Sequence, residues 1–178
     1  GDARVSLAFE LIATDADPAA APKLIAELAH ATGPQGMIGG QVLDMDGEKK
    51  SLTFEQLQEL HRMKTGALLR SACRLGALST NTSELQLLAL TDFGRFLGLA
   101  FQIVDDLLDV TASPQQMGKA TGKDAGKGKN TYPVLLGIEE TKVQAQMQLD
   151  AALASLKPLG RHADGLRKIA KFVVERQA

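Results

Sequence analysis

The strongest constraint in this sequence is a helical pattern that runs unbroken over residues 82–110 and ends in acid. About 29 residues at 1.5 Å each make a rod of roughly 43 Å. Leu85, Leu88, Phe93, Leu97, Phe101 and Val104 put apolar side chains on most of its faces. Such a helix belongs at the centre of a bundle. Its last turns carry three carboxylates, Asp105, Asp106 and Asp109, with Gln102 one turn earlier. Asp105 and Asp109 share a face, and Asp106 lies about 100° round from Asp105.

Left to itself, this arrangement is unfavourable. Like charges at i,i+4 repel, and negative charge opposes the dipole at a helix C-terminus, which Ser113-Pro114 places soon after Asp109. One resolution is a solvated acidic helix end. The other is a divalent cation, for which clustered oxygen ligands suit Mg²⁺. The next segment favours the second. From Gly118 to Lys129, lysines 119, 123, 127 and 129 alternate with glycines 118, 122, 126 and 128. Glycine lets backbone N–H groups approach an anion, and lysine supplies point charges suited to phosphate. Taken alone the loop would be a lysine-rich connector; with the acidic helix it reads as a site for a metal–polyphosphate complex.

Elsewhere the sequence reads as helix after helix. Val5, Ala8, Phe9 and Ile12 mark one over residues 2–13, and a second runs through about Ala31. Gly36, Gly39 and Gly40 then permit close approach to a neighbouring helix. Gln41 and Asp44, three apart, share a face. After a polar turn over residues 46–51, Thr53 and Gln56 form a capping box, opening a helix that runs through Lys64-Thr65-Gly66 towards Leu78. Gly66 inside it predicts a kink or a tight packing contact. Asn81 with Glu84 is the expected cap of the long helix. Two amphipathic helices, residues 132–156 and 162–176, should close the bundle around a Lys157-Pro158-Leu159-Gly160 break.

Composition narrows the class. An Ala- and Leu-rich chain of 178 residues without Trp is long enough for one all-α domain. A formal net charge of −1 and few aromatics argue against nucleic acid as a partner. The single cysteine, Cys73, fits a reducing cytoplasm. No fully apolar run approaches 18 residues, so no membrane span is expected. His30, His61 and His162 lack metal-ligand spacing and read as surface or packing residues.

Several of these motifs together resemble one family. The run Phe101-Gln102-x-x-Asp105-Asp106-x-x-Asp109, then Gly118-Lys119, Gly122-x-Asp124 and Gly128-Lys129-x-Thr131-Tyr132-Pro133, is similar to the second aspartate-rich region of trans-prenyl diphosphate synthases. Gly40-Gln41-x-x-Asp44 and Lys64-Thr65-Gly66 match the same family, and the closest likeness is to bacterial short-chain enzymes of the farnesyl diphosphate synthase type. The resemblance implies the helical bundle of isoprenoid (terpenoid) synthases. It also implies head-to-tail condensation of an allylic diphosphate with isopentenyl diphosphate, and a homodimer. Asp105, Asp106, Asp109 and Asp124 would serve Mg²⁺ (or Mn²⁺ in its place) directly or through water, with Asp44 on a metal-bound water. Lys64, Lys119 and Lys129 would carry charge beside the leaving diphosphate. Gln41, Thr65, Phe101 and Gln102 would face the allylic substrate.

The likeness has one gap. The family's first aspartate-rich motif and its paired arginines have no match in residues 1–178. The chain is therefore expected to be the C-terminal part of a single helical domain, inactive alone and silent on product length. Geranyl, geranylgeranyl or longer products remain alternatives to farnesyl diphosphate, as does a non-catalytic subunit of a heteromeric synthase. A terpene cyclase would share metal-dependent ionisation, but Lys64-Thr65 and the Thr131-Tyr132-Pro133 run point away from it.

Overall fold

A computed structural model describes residues 2–48, 50–111 and 130–176, and these contain helices and no strand. In chain order the helices are α1 (Asp2–Asp15), α2 (Ala21–Thr32), α3 (Met37–Gly47), α4 (Phe54–His61), α5 (Ala67–Leu78), α6 (Glu84–Thr111), α7 (Tyr132–Leu136), α8 (Ile138–Ser155) and α9 (Asp164–Glu175). A π turn, Arg62–Gly66, joins α4 to α5, and a 3₁₀ stretch, Lys157–Ala163, precedes α9.

The 28-residue α6 is the axis, packed between α5 and α8 with α9 alongside. By length and composition alone, with a mean hydropathy of 1.5 over an 18-residue window, it would be able to cross a membrane. Its packing accounts for those residues instead. Phe93 and Leu97 pack with Leu149 and Ala152 of α8 and Ala170 and Val173 of α9. One turn and more towards the acidic end, Ile103 and Val104 join Leu57 of α4, Tyr132 of α7 and Ala145 of α8 in a second cluster. Arg74 of α5 ties the upper bundle together: Nε donates to Glu27 Oε2 on α2 and Nη1 to Thr91 Oγ1 on α6, both at 2.8 Å. Nearby Cys73 is half-buried, and burial pushes its thiol up to about 11.

Two local expectations are corrected and a third is refined. The long helix is capped by Ser83, which accepts from Gln86 N at 3.3 Å while Gln86 Oε1 accepts from Ser83 N at 3.1 Å; Asn81 lies in the preceding turn. The helix expected over residues 132–156 is broken at Gly137, whose φ of +82° suits only glycine. The helix expected from Thr53 to Leu78 does run through Lys64-Thr65-Gly66, with a π turn and a close contact at Gly66, and its capping box is present: Thr53 Oγ1 accepts from Gln56 N at 3.3 Å, and Gln56 Oε1 from Thr53 N at 2.9 Å.

Glycine makes the tight packing around that π turn possible. A Cβ on Gly98 would meet Gly66 Cα at 2.7 Å, and one on Gly40 would meet Lys64 N at 2.2 Å. The contacts are with backbone, so they cannot be relieved by a rotamer change. Gly98→Ala should therefore destabilise the protein by about 1–3 kcal/mol. Gly76→Ala, where no atom lies within 4 Å, should stabilise it by up to about 1 kcal/mol. Urea denaturation of the two variants measures the contrast.

Candidate active site

The acidic end of α6 opens onto a cleft of about 620 Å³. Asp44 and Glu48 line it from α3 and the turn that follows, Leu60, His61 and Lys64 from α4 and the π turn, and Gln102, Asp105, Asp106 and Asp109 from α6. Asn130 and Thr131 complete the wall.

Local sequence explains how these groups meet. Because Gly40 has no side chain, α3 lies against the backbone of Lys64. Asp44, one turn further on, then reaches Lys64, and Nζ donates to Oδ2 at 2.5 Å. On the other flank Gly98 lets α6 touch Gly66, and Thr65 Oγ1 donates to Gln102 Oε1. The π turn thus sets Lys64 on the cleft and Thr65 against α6 in consecutive positions. Such turns are often found at functional sites.

The three carboxylates of α6 have different surroundings. Asp106 is buried, and its Oδ2 accepts from Tyr132 N at 2.9 Å. It therefore anchors the first turn of α7. Asp105 Oδ1 accepts from Arg176 Nη2 at 3.2 Å. Asp109 lines the cleft one turn beyond Asp105. Among the described residues, no three Asp, Glu, His or Cys side chains are grouped closely enough to hold a metal by themselves. Mg²⁺ does not require that: it commonly takes one or two carboxylates, keeps waters, and shares the oxygens of a bound phosphate. Asp105 and Asp109, both oxygen donors on one cleft wall, fit that mode.

Of the remaining predicted site residues, Gln41 sits on an exposed face of α3 and contributes nothing to the cleft wall. Phe101 is half-buried behind it, with the Arg176 guanidinium 4.2 Å over its ring. Lys119, Asp124 and Lys129 lie outside the described residues.

Sequence reasoning missed three contributors. Asn130 Nδ2 donates to Gly47 O at 2.8 Å and Lys50 O at 3.0 Å, while its Oδ1 accepts from Leu52 N at 2.7 Å. One side chain thereby pins the turn between α3 and α4. Arg176 reaches α6 from beyond the end of α9. His61, correctly read as a packing residue, also forms cleft wall. It stacks on Tyr132 with ring centroids 5.7 Å apart, and Tyr132 meets Phe54 edge-on at 5.3 Å.

Burial dominates the titration of His61 and lowers it from 6.5 to about 4; Asp44 opposes the shift and Lys64 adds to it. His61 is thus neutral at pH 7, and its Nε2 faces Asp106 Oδ2 at 4.0 Å without forming an ion pair. The unfolded chain gains a proton below about pH 6.5 while the folded one does not until about pH 4. Stability is therefore full above pH 6.5 and falls as pH drops towards 4, by up to about 3 kcal/mol. Denaturant titrations at pH 7.5 and 4.5 should show most of that loss, and His61→Gln should flatten it.

The polyprenyl synthetase family model matches residues 1–163. Farnesyl diphosphate synthase of Escherichia coli K12 is 42% identical over 185 residues, covering 99% of this chain and 62% of that enzyme. The Geobacillus stearothermophilus farnesyl diphosphate synthase is 38% identical over 180 residues, covering 99% and 61%. The solved FPP/GFPP synthase of Zymomonas mobilis superposes with a TM-score of 0.82 at 36% identity, over 97% of this chain and 59% of that one. A Helicobacter pylori geranyltransferase, solved with magnesium and isoprenyl diphosphate, gives 0.80 at 32% identity, over 97% and 57%. The chain thus spans about three fifths of the length of these relatives. Its helical architecture is the isoprenoid synthase fold, and the chain belongs to the polyprenyl synthetase family.

Proposed function

We propose that this chain supplies the second aspartate-rich half of a prenyltransferase site, which joins an allylic diphosphate to isopentenyl diphosphate to form farnesyl diphosphate and pyrophosphate. One observation carries the reading: the Asp44–Lys64 pair, the Thr65–Gln102 pair and the Asp105–Asp109 face converge on one cleft from three separate elements. The E. coli and Geobacillus relatives, both farnesyl diphosphate synthases, support it.

In the reaction the allylic carbon–oxygen bond breaks and pyrophosphate leaves. The double bond of isopentenyl diphosphate attacks the allylic carbon, and a proton passes to the released pyrophosphate. Asp105 and Asp109 would hold Mg²⁺, which supplies Lewis-acid charge to the leaving diphosphate when bound. The ammonium of Lys64 adds a fixed positive charge, oriented by Asp44. Gln102 presents an amide whose oxygen is already engaged by Thr65. Gln102, held by Thr65, therefore lines the cleft with a dipole that does not react with a carbocation. Lys119, Lys129 and Asp124 are assigned to the same diphosphate from their motif positions; Gln41, which lies outside the cleft wall, is assigned to the allylic substrate on its motif position alone. Asp106, bonded to Tyr132 N, positions the wall and would add negative charge to the acidic end that holds the metal.

Product length is a separate matter, because a geranylgeranyl diphosphate synthase from Cyanophora paradoxa is also 39% identical over 180 residues. A homodimer is part of the proposal, supported by Leu7 and Leu11, each half exposed on α1. So are Mn²⁺ as an alternative metal and a cytoplasmic location, the latter supported by a single cysteine, Cys73, that is free of any disulfide.

The test is to give the intact protein carrying this chain geranyl and isopentenyl diphosphates with Mg²⁺ and to separate the products. Farnesyl diphosphate and pyrophosphate in equal amounts, lost on chelation by EDTA, are expected. A polypeptide of residues 1–178 alone, without the first aspartate-rich motif, should show no turnover. Absence of any prenyl product from the intact protein would contradict the reading.

A further inference from the structure

Arg176 lies just beyond α9, yet its guanidinium is only one-fifth exposed and makes three contacts with α6. Nη2 donates to Phe101 O at 3.3 Å and to Asp105 Oδ1 at 3.2 Å, and the guanidinium carbon sits 4.2 Å over the Phe101 ring. Two of the three contacts are to Phe101. The positive charge is therefore held by Phe101 as well as by the Asp105 carboxylate.

We propose that Arg176 is a built-in competitor for the metal at Asp105, so that this carboxylate takes a divalent cation chiefly in company with a diphosphate. The inference rests on the metal reading of Asp105 given above. A bare cation approaching Asp105 has to displace the guanidinium from Oδ1, and then sits beside a fixed positive charge. A cation carried by pyrophosphate arrives as an anionic complex, and the same charge attracts it. The Asp105 side chain is 53% exposed, so water weakens both effects. The neighbouring cation, Lys64, is already paired with Asp44. Among the described residues, Arg176 is thus the cation in contact with Asp105, and it favours metal and diphosphate together over metal first.

The experiment is a Mn²⁺ titration of the intact protein, following free Mn²⁺ by electron paramagnetic resonance, without substrate and then with inorganic pyrophosphate. Arg176→Gln should bind Mn²⁺ alone about fivefold more tightly than the wild type, the size of one exposed ion pair. Arg176→Lys, which keeps the charge, should stay near the wild-type value. With pyrophosphate present, the advantage of Arg176→Gln should vanish or reverse. Arg176→Met is a second neutral variant, and each variant's own melt reports its folding. Unchanged or weaker Mn²⁺ binding by both neutral variants, alongside lost binding in Asp105→Asn, would overturn the role of Arg176. Wild-type Mn²⁺ binding by Asp105→Asn would instead overturn the metal reading on which it rests.

Discussion

Lys64→Ala should lower turnover of the intact protein by about 10²–10³-fold while shifting its melting temperature by only a few degrees. The two readouts separate because Lys64 has two partners of different kinds. Its contact with Asp44 is an ion pair whose side chains are each about one-third exposed. Such a pair contributes at most about 1 kcal/mol, or roughly 2–4 °C in a chain of this size. Its proposed second partner is the departing diphosphate, where a fixed charge acts as negative charge develops. Lys64→Arg should recover only part of the rate, since a planar fork does not replace a compact ammonium. Equal rates for Lys64→Ala and the wild type would place the diphosphate elsewhere in the cleft.

Asp106 gives the complementary case. Asp106→Ala should destabilise the protein by about 2–3 kcal/mol, because the Tyr132 N–H it accepts would be left buried without an acceptor. The loss should spread along the cleft wall, since Tyr132 is fully buried between Phe54 and His61. Asp106→Asn separates structure from charge: its amide oxygen can still accept from Tyr132, so most of the stability should return. If its negative charge contributes to the acidic site, the rate should not return with it. Denaturation midpoints and steady-state rates on the two variants measure the split. Full activity in Asp106→Asn would reduce Asp106 to a structural anchor.

Features of the sequence that are periodic or local could be read directly. The long core helix, the Thr53–Gln56 capping box and the small-residue contacts at Gly40 and Gly66 all follow from spacing and residue type, and all are present. The acidic face of Asp105 and Asp109 with Gln102 a turn before could be placed on one helix for the same reason. What escaped notice depends on residues far apart in the chain. Asn130 bonds to residues 78 to 83 positions away, and Arg176 to one 71 away; neither leaves any periodicity. The π turn leaves none either; it packs against Gly40 on one side and Gly98 on the other. The cap of α6 was ambiguous locally: Asn81–Glu84 and Ser83–Gln86 both satisfy the pattern of a small polar residue followed three later by Glu or Gln. Gly137 could be seen as a glycine, but not as one held at positive φ. The carboxylates were legible as a cluster, yet their different partners, Arg176 for Asp105 and Tyr132 N for Asp106, were not.

The central claim is that the acidic end of α6 holds a divalent cation together with a diphosphate. Asp105→Asn tests it most directly, because it keeps the side chain's shape and removes one charge. Without ligand the variant should melt close to the wild type: relieved repulsion from Asp109 and from the helix dipole, a few tenths of a kcal/mol each, is offset by a weakened contact with Arg176. Mg²⁺ and pyrophosphate at about a hundred times the dissociation constant should stabilise the wild type by about 2.7 kcal/mol, or roughly 5–10 °C. Melts of the intact wild-type and Asp105→Asn proteins, with and without Mg²⁺ and pyrophosphate, should show that shift in the first and little of it in the second. A full ligand-induced shift in Asp105→Asn would contradict the account.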